Sequence, residues 1–471
     1  MNMLPPFLRD ATMEACRPWP RFELIAPQWS ALAREPVALL AVWADTARVH
    51  ALYRHLPSDL ILPVSVAPED GAYPALSIWH PLAAWFERMI HNLWGHVPAG
   101  GDTRPWLDHG HWPQTTVMAA RPGPPVASAE PPEFQEVGDG TAMQWPIGPL
   151  AAGIGEAAHL RLTLDGTRIV RAESRLGYTH KGTLHLMRGK SPRVAARFAA
   201  RLAGNATVAH SIAFAGAAEA ALAIQAPPRA VGLRSLMGAL ERIATFLDDL
   251  ATIAGLAGDT RAHAYCGVQQ EYVRRALAGA FGHRLMMDGV VPGGVAGEPD
   301  ANGLSILRQV LDGLADSMPA IRRMFAGGLL ADRLTGLAVT DRQLLDALPV
   351  VGVVREARQF GGDAAARCRT RLEAIARDTE TCVSLLAALP EGPLAVALPL
   401  NSGEGLGYAA SPRGAIWHWL RLDHGQIAAA FPCDPGWAFW PLAEATLVGA
   451  AASDAGLILC SMGLPVSGMD L

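Results

Sequence analysis

The sequence has 471 residues, 50% of them hydrophobic, and a formal net charge of -5 at pH 7. A chain of this length and apolar content can bury a large core and should form more than one domain. Its mild acidity, without a run of Lys and Arg, gives no electrostatic basis for binding DNA or RNA. No nucleic-acid partner is therefore expected.

Six cysteines are spread along the chain, and none of them forms a CxxC pair. This spacing predicts reduced, buried thiols in a reducing compartment, and it provides no local thiolate pair for zinc, nickel or an iron-sulfur cluster. The first residues lack a basic segment followed by an apolar one, so export is not expected. GEGLGY at residues 403–408 departs from the GxGxxG fingerprint, and nicotinamide binding is not predicted.

Short β-like runs come first in chain order: VALLAVWA, LILPVSVA and YPALSIW. HPLAAWFERMIHNLWGH then has helical spacing, because Trp85, Met89 and Leu93 are one turn apart. These patterns predict a small α+β domain over residues 1–118. The next stretch, ARPGPPVASAEPPEFQEVGDG, is too rich in proline, glycine and acids for a helix or a core strand, and it predicts a linker over residues 119–140.

Residues 141–471 are predicted to form a second, mainly α-helical domain with short β-hairpins, which makes the fold class α+β. HLRLTLDGTRIVRAE alternates leucines and turns at Asp165-Gly166, and GAIWHWLRLDHGQIAAAF turns at residues 423–425. The apolar pattern predicts helices over residues 193–225, 231–257, 304–325 and 364–389.

An alanine-rich stretch, residues 202–225, holds the polar side chains of Asn205, His210 and Glu219. Placing an acid near the centre of a bilayer costs on the order of 2.5–3.5 kcal/mol, so a helix buried in protein is favoured over a membrane span. In such a helix a histidine is more often a hydrogen-bonded core residue than a catalyst, and His210 is interpreted in that way.

Three arginines, Arg193, Arg197 and Arg201, follow one another at intervals of four residues and would share one helix face. A solvated face is the commonest role of such a stripe. A contact surface for an acidic or cluster-bearing subunit is the alternative.

Several motifs occur in the order found in a known family. Residues 148–222 contain LGYTHKG and RLAGNATVAHS, VVPGGV follows at 290–295, and SPRGAIWHWLRLDHGQI stands at 411–427. Together they resemble the large subunit of membrane-bound (group 4) nickel-iron hydrogenases and the D-type, quinone-site subunit of the proton-pumping NADH:quinone oxidoreductase, complex I. WHPLAAWFERMIHNLWGH is similar to the C-type domain of complex I. The resemblance implies a C-type domain followed by a hydrogenase-large-subunit-like domain.

The resemblance also implies what is missing. In hydrogenases the segment that matches RLAGNATVAHS carries a CxxC pair, but Ala203 and Ala206 stand at those positions. The second pair, expected near the C-terminus, is absent as well, because only Cys460 lies there. Without thiolates no nickel-iron centre is expected, and no metal or cofactor is predicted to bind to this chain.

For a quinone site, the resemblance places Ala151 and Gly155 where the family has two histidines, and Phe214 where it has a quinone-binding tyrosine. Glu156 follows the hydrogenase pattern. The residues expected to line a modified cavity share positions with the family's redox site and are Glu156, Ala203, Ala206, Phe214 and Arg413. A quinone remains a possible ligand of that cavity.

The family also implies partners. His180, Lys181 and Arg201 are expected to face a small subunit that holds an iron-sulfur cluster, where positive charge would stabilise the reduced cluster. Further partners would be antiporter-like and other membrane subunits, with this chain peripheral on the cytoplasmic face of the inner (plasma) membrane.

The leading hypothesis is therefore an oxidoreductase subunit that lines a modified, quinone-type acceptor cavity beside the small subunit's cluster, without a nickel-iron centre and without activity as an isolated chain. The alternative is a structural coupling subunit with no redox site. The first requires an open cavity near Glu156, Phe214 and Arg413. The second predicts that Ala203, Ala206 and Phe214 are tightly packed. An active hydrogenase would need thiolates that this sequence lacks.

Overall fold

The structure is a computed structural model, and it describes residues 4–125, 134, 142–150 and 155–471. The chain divides into two compact units, the first formed by residues 1–136 with 346–349 and 470, and the second by 137–345, 350–469 and 471. The predicted linker over 119–140 falls largely outside the described residues. The α+β class is confirmed.

The first unit is built on a five-stranded sheet with the strand order β1 (Thr12–Glu14), β3 (Arg21–Leu24), β6 (Leu60–Val66), β5 (Val49–His55) and β4 (Val37–Ala44). Strands β3 and β6 are parallel, and the other neighbours are antiparallel. Its elements, in chain order, are α1 (Pro6–Arg9), β1 (Thr12–Glu14), β2 (Cys16–Arg17), β3 (Arg21–Leu24), α2 (Ala26–Leu32), β4 (Val37–Ala44), β5 (Val49–His55), β6 (Leu60–Val66), β7 (Ala72–Pro74), α3 (Ala83–Trp94) and β8 (Val97–Ala99).

Two of the three predicted β-runs are strands, VALLAVWA as β4 and most of LILPVSVA as β6. The third, YPALSIW, is wrong beyond Pro74, where β7 ends. The reason is Glu87 of α3, whose carboxylate accepts the backbone N–H groups of Leu76 and Ser77 and so turns the chain away from a strand. The predicted helix is α3, which buries Met89 and Leu93.

From residue 142 onward the chain is mainly helical, and the helices Pro228–Leu256, Thr260–Phe281, Ala301–Ala326 and Ala364–Ala387 pack into a large apolar core. The elements are β9 (Met143–Ile147), β10 (His159–Asp165), β11 (Arg168–Arg175), α4 (Thr183–Met187), α5 (Pro192–Ala199), α6 (Thr207–Leu222), α7 (Pro228–Leu256), α8 (Thr260–Phe281), β12 (Val290–Val291), β13 (Gly294–Val295), α9 (Ala301–Ala326), α10 (Gly328–Leu334), α11 (Arg342–Ala347), α12 (Val353–Glu356), α13 (Ala364–Ala387), β14 (Gly403–Ser411), β15 (Gly414–Asp423), β16 (Gln426–Cys433), α14 (Gly436–Leu447) and α15 (Ala455–Met462), with 3-10 helices at Ala357–Phe360 and Ala452–Asp454.

Both predicted hairpins are confirmed, as β10–β11 and β15–β16. The predicted helix over 193–225 is wrong as one element, because residues 200–206 separate α5 from α6. Ala206 has a non-helical backbone, and the carboxylate of Glu241 on α7 accepts the N–H groups of Val208 and Ala209. A helix start that is satisfied by a neighbouring side chain does not need the preceding turn.

The alanine-rich helix α6 lies directly on the glycine-rich strand β14. Gly405 and Gly407 point to the same side of the strand, and a Cβ atom on either would overlap the backbone of α6 at Ala217 and Ala213, respectively. Gly403 approaches the same helix in the same way. Small side chains on both elements therefore allow the helix and the strand to approach closely.

Within the described residues, no helix is long and apolar enough to span a membrane.

Candidate functional site

The chain is buried and apolar just before α6, at the two positions where the resemblance implies cysteine in a hydrogenase. Ala203 and Ala206 are 0% and 1% exposed and belong to an apolar cluster with Ala209, Ala213 and Ile416. Methyl groups have no lone pair to offer a metal ion, so these positions do not fit a nickel-iron centre. In the described part of the chain, no group of three or more His, Cys, Asp and Glu residues is placed to hold a metal ion.

Glu241 on α7 caps the N-terminus of α6. Its two carboxylate oxygens accept the N–H groups of Val208 at 2.6 Å and of Ala209 at 3.0 Å. Burial raises the pKa of Glu241 to about 7, although these hydrogen bonds and two nearby arginines favour the charged form. The segment between α5 and α6 is thus anchored by a buried acid whose pKa is raised by burial.

One turn into α6, His210 forms the centre of a buried hydrogen-bonded chain. Its Nδ1 lies 3.1 Å from His418 Nε2 on β15, and its Nε2 lies 3.1 Å from Asp434 Oδ2 after β16. All three side chains are at most 1% exposed. His210 is therefore a hydrogen-bonded core histidine, as predicted.

The hydrogen bonds fix the tautomers in this chain. A carboxylate only accepts, so His210 donates to Asp434 through Nε2–H. In a neutral His210, Nδ1 is then an acceptor, to which His418 donates through Nε2–H. Burial, with the neighbouring His210, lowers the pKa of His418 well below its ordinary value, which keeps His418 neutral. Phe214 packs edge-on against His418, with ring centroids 5.8 Å apart.

The C-terminal segment after α15 is held between two carboxylates. Glu156 accepts the N–H groups of Val466 and Ser467 at 2.8 and 2.6 Å and the Ser467 hydroxyl at 2.6 Å. On the other side, a Cβ atom at Gly468 would overlap the carboxylate of Asp434. This segment thus joins Glu156 to the histidine chain.

Arg413, in the turn between β14 and β15, forms an ion pair with Asp249 of α7. Arg413 donates to both Asp249 oxygens at 2.7 and 2.8 Å, and Arg371 of α13 donates to Asp249 at 2.9 Å. Burial alone would raise the pKa of Asp249, but the two guanidinium groups outweigh it and hold that pKa below its ordinary value. Arg413 also lies close enough to Glu156 to interact with its charge.

The predicted cavity residues fall into separate contacts in the structure. Ala203 and Ala206 lie in the apolar cluster, Phe214 contacts His418, and Arg413 lies near the charge of Glu156. Ala203, Ala206 and Phe214 are all buried. Ala151 lies outside the described residues.

The three residues expected to face a small subunit are at or near the surface. Lys181 donates to the carbonyl oxygen of Leu202, and Arg201 forms a two-pronged ion pair with Asp288 at 2.6 and 2.8 Å. His180 is half-buried.

The predicted arginine stripe needs a correction because α5 ends at Ala199, before Arg201. Its last member is therefore not on the same helix, and it forms an ion pair with Asp288 instead of remaining only solvated. Arg193 stays on α5 with Arg197 and donates to the carbonyl oxygen of Pro292.

Several residues of this site were not expected from the sequence, namely Asp249, Arg371, His418 and Asp434. A carboxylate directly after a strand, as in CDPG at 433–436, was an available signal for Asp434. No local pattern indicated that Asp434 would pair with His210, which is 224 residues away in the chain.

The fold is shared with a respiratory complex of known structure. No protein-family model matches the sequence. A chain in the structure of the membrane-bound sulfane sulfur reductase (MBS), an archaeal respiratory membrane complex, aligns with a TM-score of 0.66 and 20% identity, covering 71% of this chain and 99% of that one. At this identity the match shows a shared fold.

Sequence comparison identifies the homologues. The chain is 27% identical over 432 residues to Hydrogenase-4 component G of Escherichia coli, covering 86% of this chain and 76% of that protein. It is 29% identical over 182 residues to the D-type subunit of the NADH-quinone oxidoreductase of Saccharopolyspora erythraea, covering 39% of this chain and 40% of that protein. The chain is a homologue of group 4 hydrogenase large subunits and of the D-type subunit of complex I, which confirms the resemblance. Its homologues belong to membrane-bound complexes.

Proposed function

We propose that this chain is a subunit of a membrane-associated electron-transfer complex of the hydrogenase-like or complex I-like type, and that it holds no nickel-iron centre. The observation that carries the proposal is the burial of Ala203 and Ala206 in an apolar cluster at the positions of the family's first thiolate pair. A soft thiolate set is what a nickel-iron site requires, and methyl groups cannot replace it.

Within that complex, the role that the packing supports best is structural coupling. Ala203, Ala206 and Phe214 are buried, as a closed core requires. Carboxylates tie this core to distant parts of the chain, since Asp249 binds Arg371 and Arg413. A rigid element of this kind can transmit a displacement from one partner subunit to another.

The proposed partners follow from the family resemblance and from three basic residues at or near the surface. His180, Lys181 and Arg201 would face a small subunit that holds an iron-sulfur cluster, because positive charge nearby stabilises a cluster that gains an electron. Antiporter-like and other membrane subunits would attach the chain peripherally at the cytoplasmic face of the inner (plasma) membrane.

A second candidate role is a modified, quinone-type acceptor cavity beside that cluster. It is favoured by the buried chain of His418, His210 and Asp434, since buried titratable groups concentrate at functional sites. A quinone that accepts electrons from the partner's cluster must also take up protons. In such a relay a proton enters at His418 Nδ1, and His418 Nε2 passes its proton to His210 Nδ1. His210 Nε2 in turn passes its proton to Asp434. The three side chains are therefore of the types that a proton relay needs.

The test is purification of the complex through a tag on this chain, followed by metal analysis and quinone-reduction assays. We would compare wild type with Phe214→Tyr and His418→Gln, and use His424→Gln as the matched control, because His424 is 89% exposed. Loss of a proton donor typically costs about 10²- to 10⁴-fold in rate.

An intact complex with no quinone-dependent turnover would support the coupling role. Turnover that falls in His418→Gln but not in His424→Gln would favour the acceptor cavity instead. Stoichiometric nickel in the complex would contradict both roles.

A further inference from the structure

A cleft of about 620 Å³ lies between the end of α9, helix α10 and the first half of α13, and none of the residues named in the candidate site is among those that line it. Its apolar wall includes Phe325, Phe360 and Leu372. Small-molecule sites in proteins have volumes of roughly 300–1,000 Å³ and mostly apolar walls with a few polar groups. The cleft therefore has the size of a ligand site.

The acids in the cleft are already engaged. Asp363 caps α13 by accepting the N–H of Ala366 at 2.7 Å, and its other oxygen accepts the N–H of Gly336 at 2.7 Å. Glu373 accepts a hydrogen bond from Arg369 Nε at 3.1 Å. A cationic ligand would have to compete with these partners for each carboxylate.

The arginines in the cleft keep unused donors. Arg322 forms no hydrogen bond or ion pair with any residue that the structure describes, and Arg369 uses only its Nε. The guanidinium carbon of Arg369 lies 3.9 Å from the centre of the Phe360 ring, which fixes the group against an apolar surface. The terminal nitrogens of both arginines remain available as hydrogen-bond donors.

We propose that this cleft binds an amphipathic anion, an alkyl chain with a carboxylate or phosphate head group. The head group would bind to Arg322 and Arg369, since a guanidinium matches the two oxygens of such a group. The alkyl chain would lie against Phe325 and Leu372, where its removal from water is favourable. This inference does not depend on the redox role proposed above.

The experiment uses the purified complex in phosphatidylcholine nanodiscs, titrated with decanoate by calorimetry against empty nanodiscs. Acetate and decanol serve as probes that have only the head group or only the chain. We expect saturable binding of decanoate, and a loss of affinity of about tenfold or more in Arg322→Gln and in Arg369→Gln, because each variant removes charge-assisted hydrogen bonds. Arg323→Gln is the matched control, because Arg323 is the exposed next residue on α9 and does not line the cleft.

Absence of saturable decanoate binding would overturn the proposal. So would acetate or decanol binding as tightly as decanoate, or an equal loss of affinity in Arg323→Gln. Thermal melting of each variant confirms that it is folded. Repeating the titration in nanodiscs with phosphatidylglycerol separates two sources of the same chemistry: competition with decanoate would identify an anionic lipid, and unchanged binding would identify a free fatty acid.

Discussion

Replacement of Asp249 by asparagine is expected to destabilise the helical part of the chain strongly. Asp249 accepts hydrogen bonds from Arg413 at 2.7 and 2.8 Å and from Arg371 at 2.9 Å. The three side chains are only 6%, 9% and 1% exposed, respectively. Asparagine keeps the shape but removes the charge and one acceptor, which leaves two buried cations without their counter-ion. Breaking a buried ion pair in this way costs about 3–5 kcal/mol.

The assay is thermal unfolding of the purified complex, followed by tryptophan fluorescence. At about 2 °C per kcal/mol, the low end for larger domains, the melting temperature should fall by roughly 6–10 °C. Asp248→Asn is the control, because it makes the same chemical change at the neighbouring, exposed position. It should shift the midpoint by no more than about 1 °C. An equal effect of the two variants would refute the reasoning.

Asp249 also predicts how the stability of the chain depends on pH. The pKa of Asp249 is held below its ordinary value in the folded chain. Its stabilising contribution is therefore complete above the pKa of the unfolded chain, and it is lost as the pH falls through the folded value. The difference in melting temperature between wild type and Asp249→Asn should shrink on acidification. A difference that stays constant down to the acid limit would show that charge is not its origin.

Two further substitutions test other contacts. Gly407→Ala places a Cβ atom against the backbone of α6 and should lower the free energy of unfolding by about 1–3 kcal/mol in denaturation experiments. The control is Gly216→Ala, whose Cβ would lie 3.6 Å from Gly407 Cα and which should be neutral or stabilising. Equal losses of stability in the two variants would contradict the close contact. Burial raises the pKa of Glu444 from 4.5 to about 7, so wild type should lose stability as the pH rises through that range. Glu444→Gln should remove this loss and melt higher than wild type at about pH 8 but not at about pH 5, and identical pH curves would rule out Glu444 as the cause.

Local patterns were sufficient for much of the fold. The hairpin at Asp165-Gly166 and the long helix α7 follow from alternation and from the 3.6-residue period, which each segment carries in its own sequence. The missed strand β14 is different. Its glycines follow a period of two, but glycine adds no hydrophobic signal, and the reason for the pattern lies in α6, more than 180 residues earlier.

The break between α5 and α6 shows a second limit. Alanine and leucine at 199–203 favour helix, yet the chain leaves the helix because Glu241 satisfies the first N–H groups of α6. That capping group lies on another helix, so no local rule reports it.

The sequence predicted which residues belong to the candidate site, but not the residues with which they form hydrogen bonds. The family motifs located Glu156, Ala203, Ala206 and Arg413, of which the two alanines share an apolar cluster and Arg413 lies near the charge of Glu156. The side chains that neutralise Arg413 and orient His210, namely Asp249 and Asp434, come from distant segments. No sequence pattern links these segments.

The central claim is that this chain belongs to a membrane-associated electron-transfer complex and holds no nickel-iron centre. Metal analysis of the complex, purified through a tag on this chain, tests it most directly. The account predicts co-purification of an iron-containing partner with nickel far below one atom per complex. Nickel at one atom per complex, lost on denaturation of this chain, would contradict it.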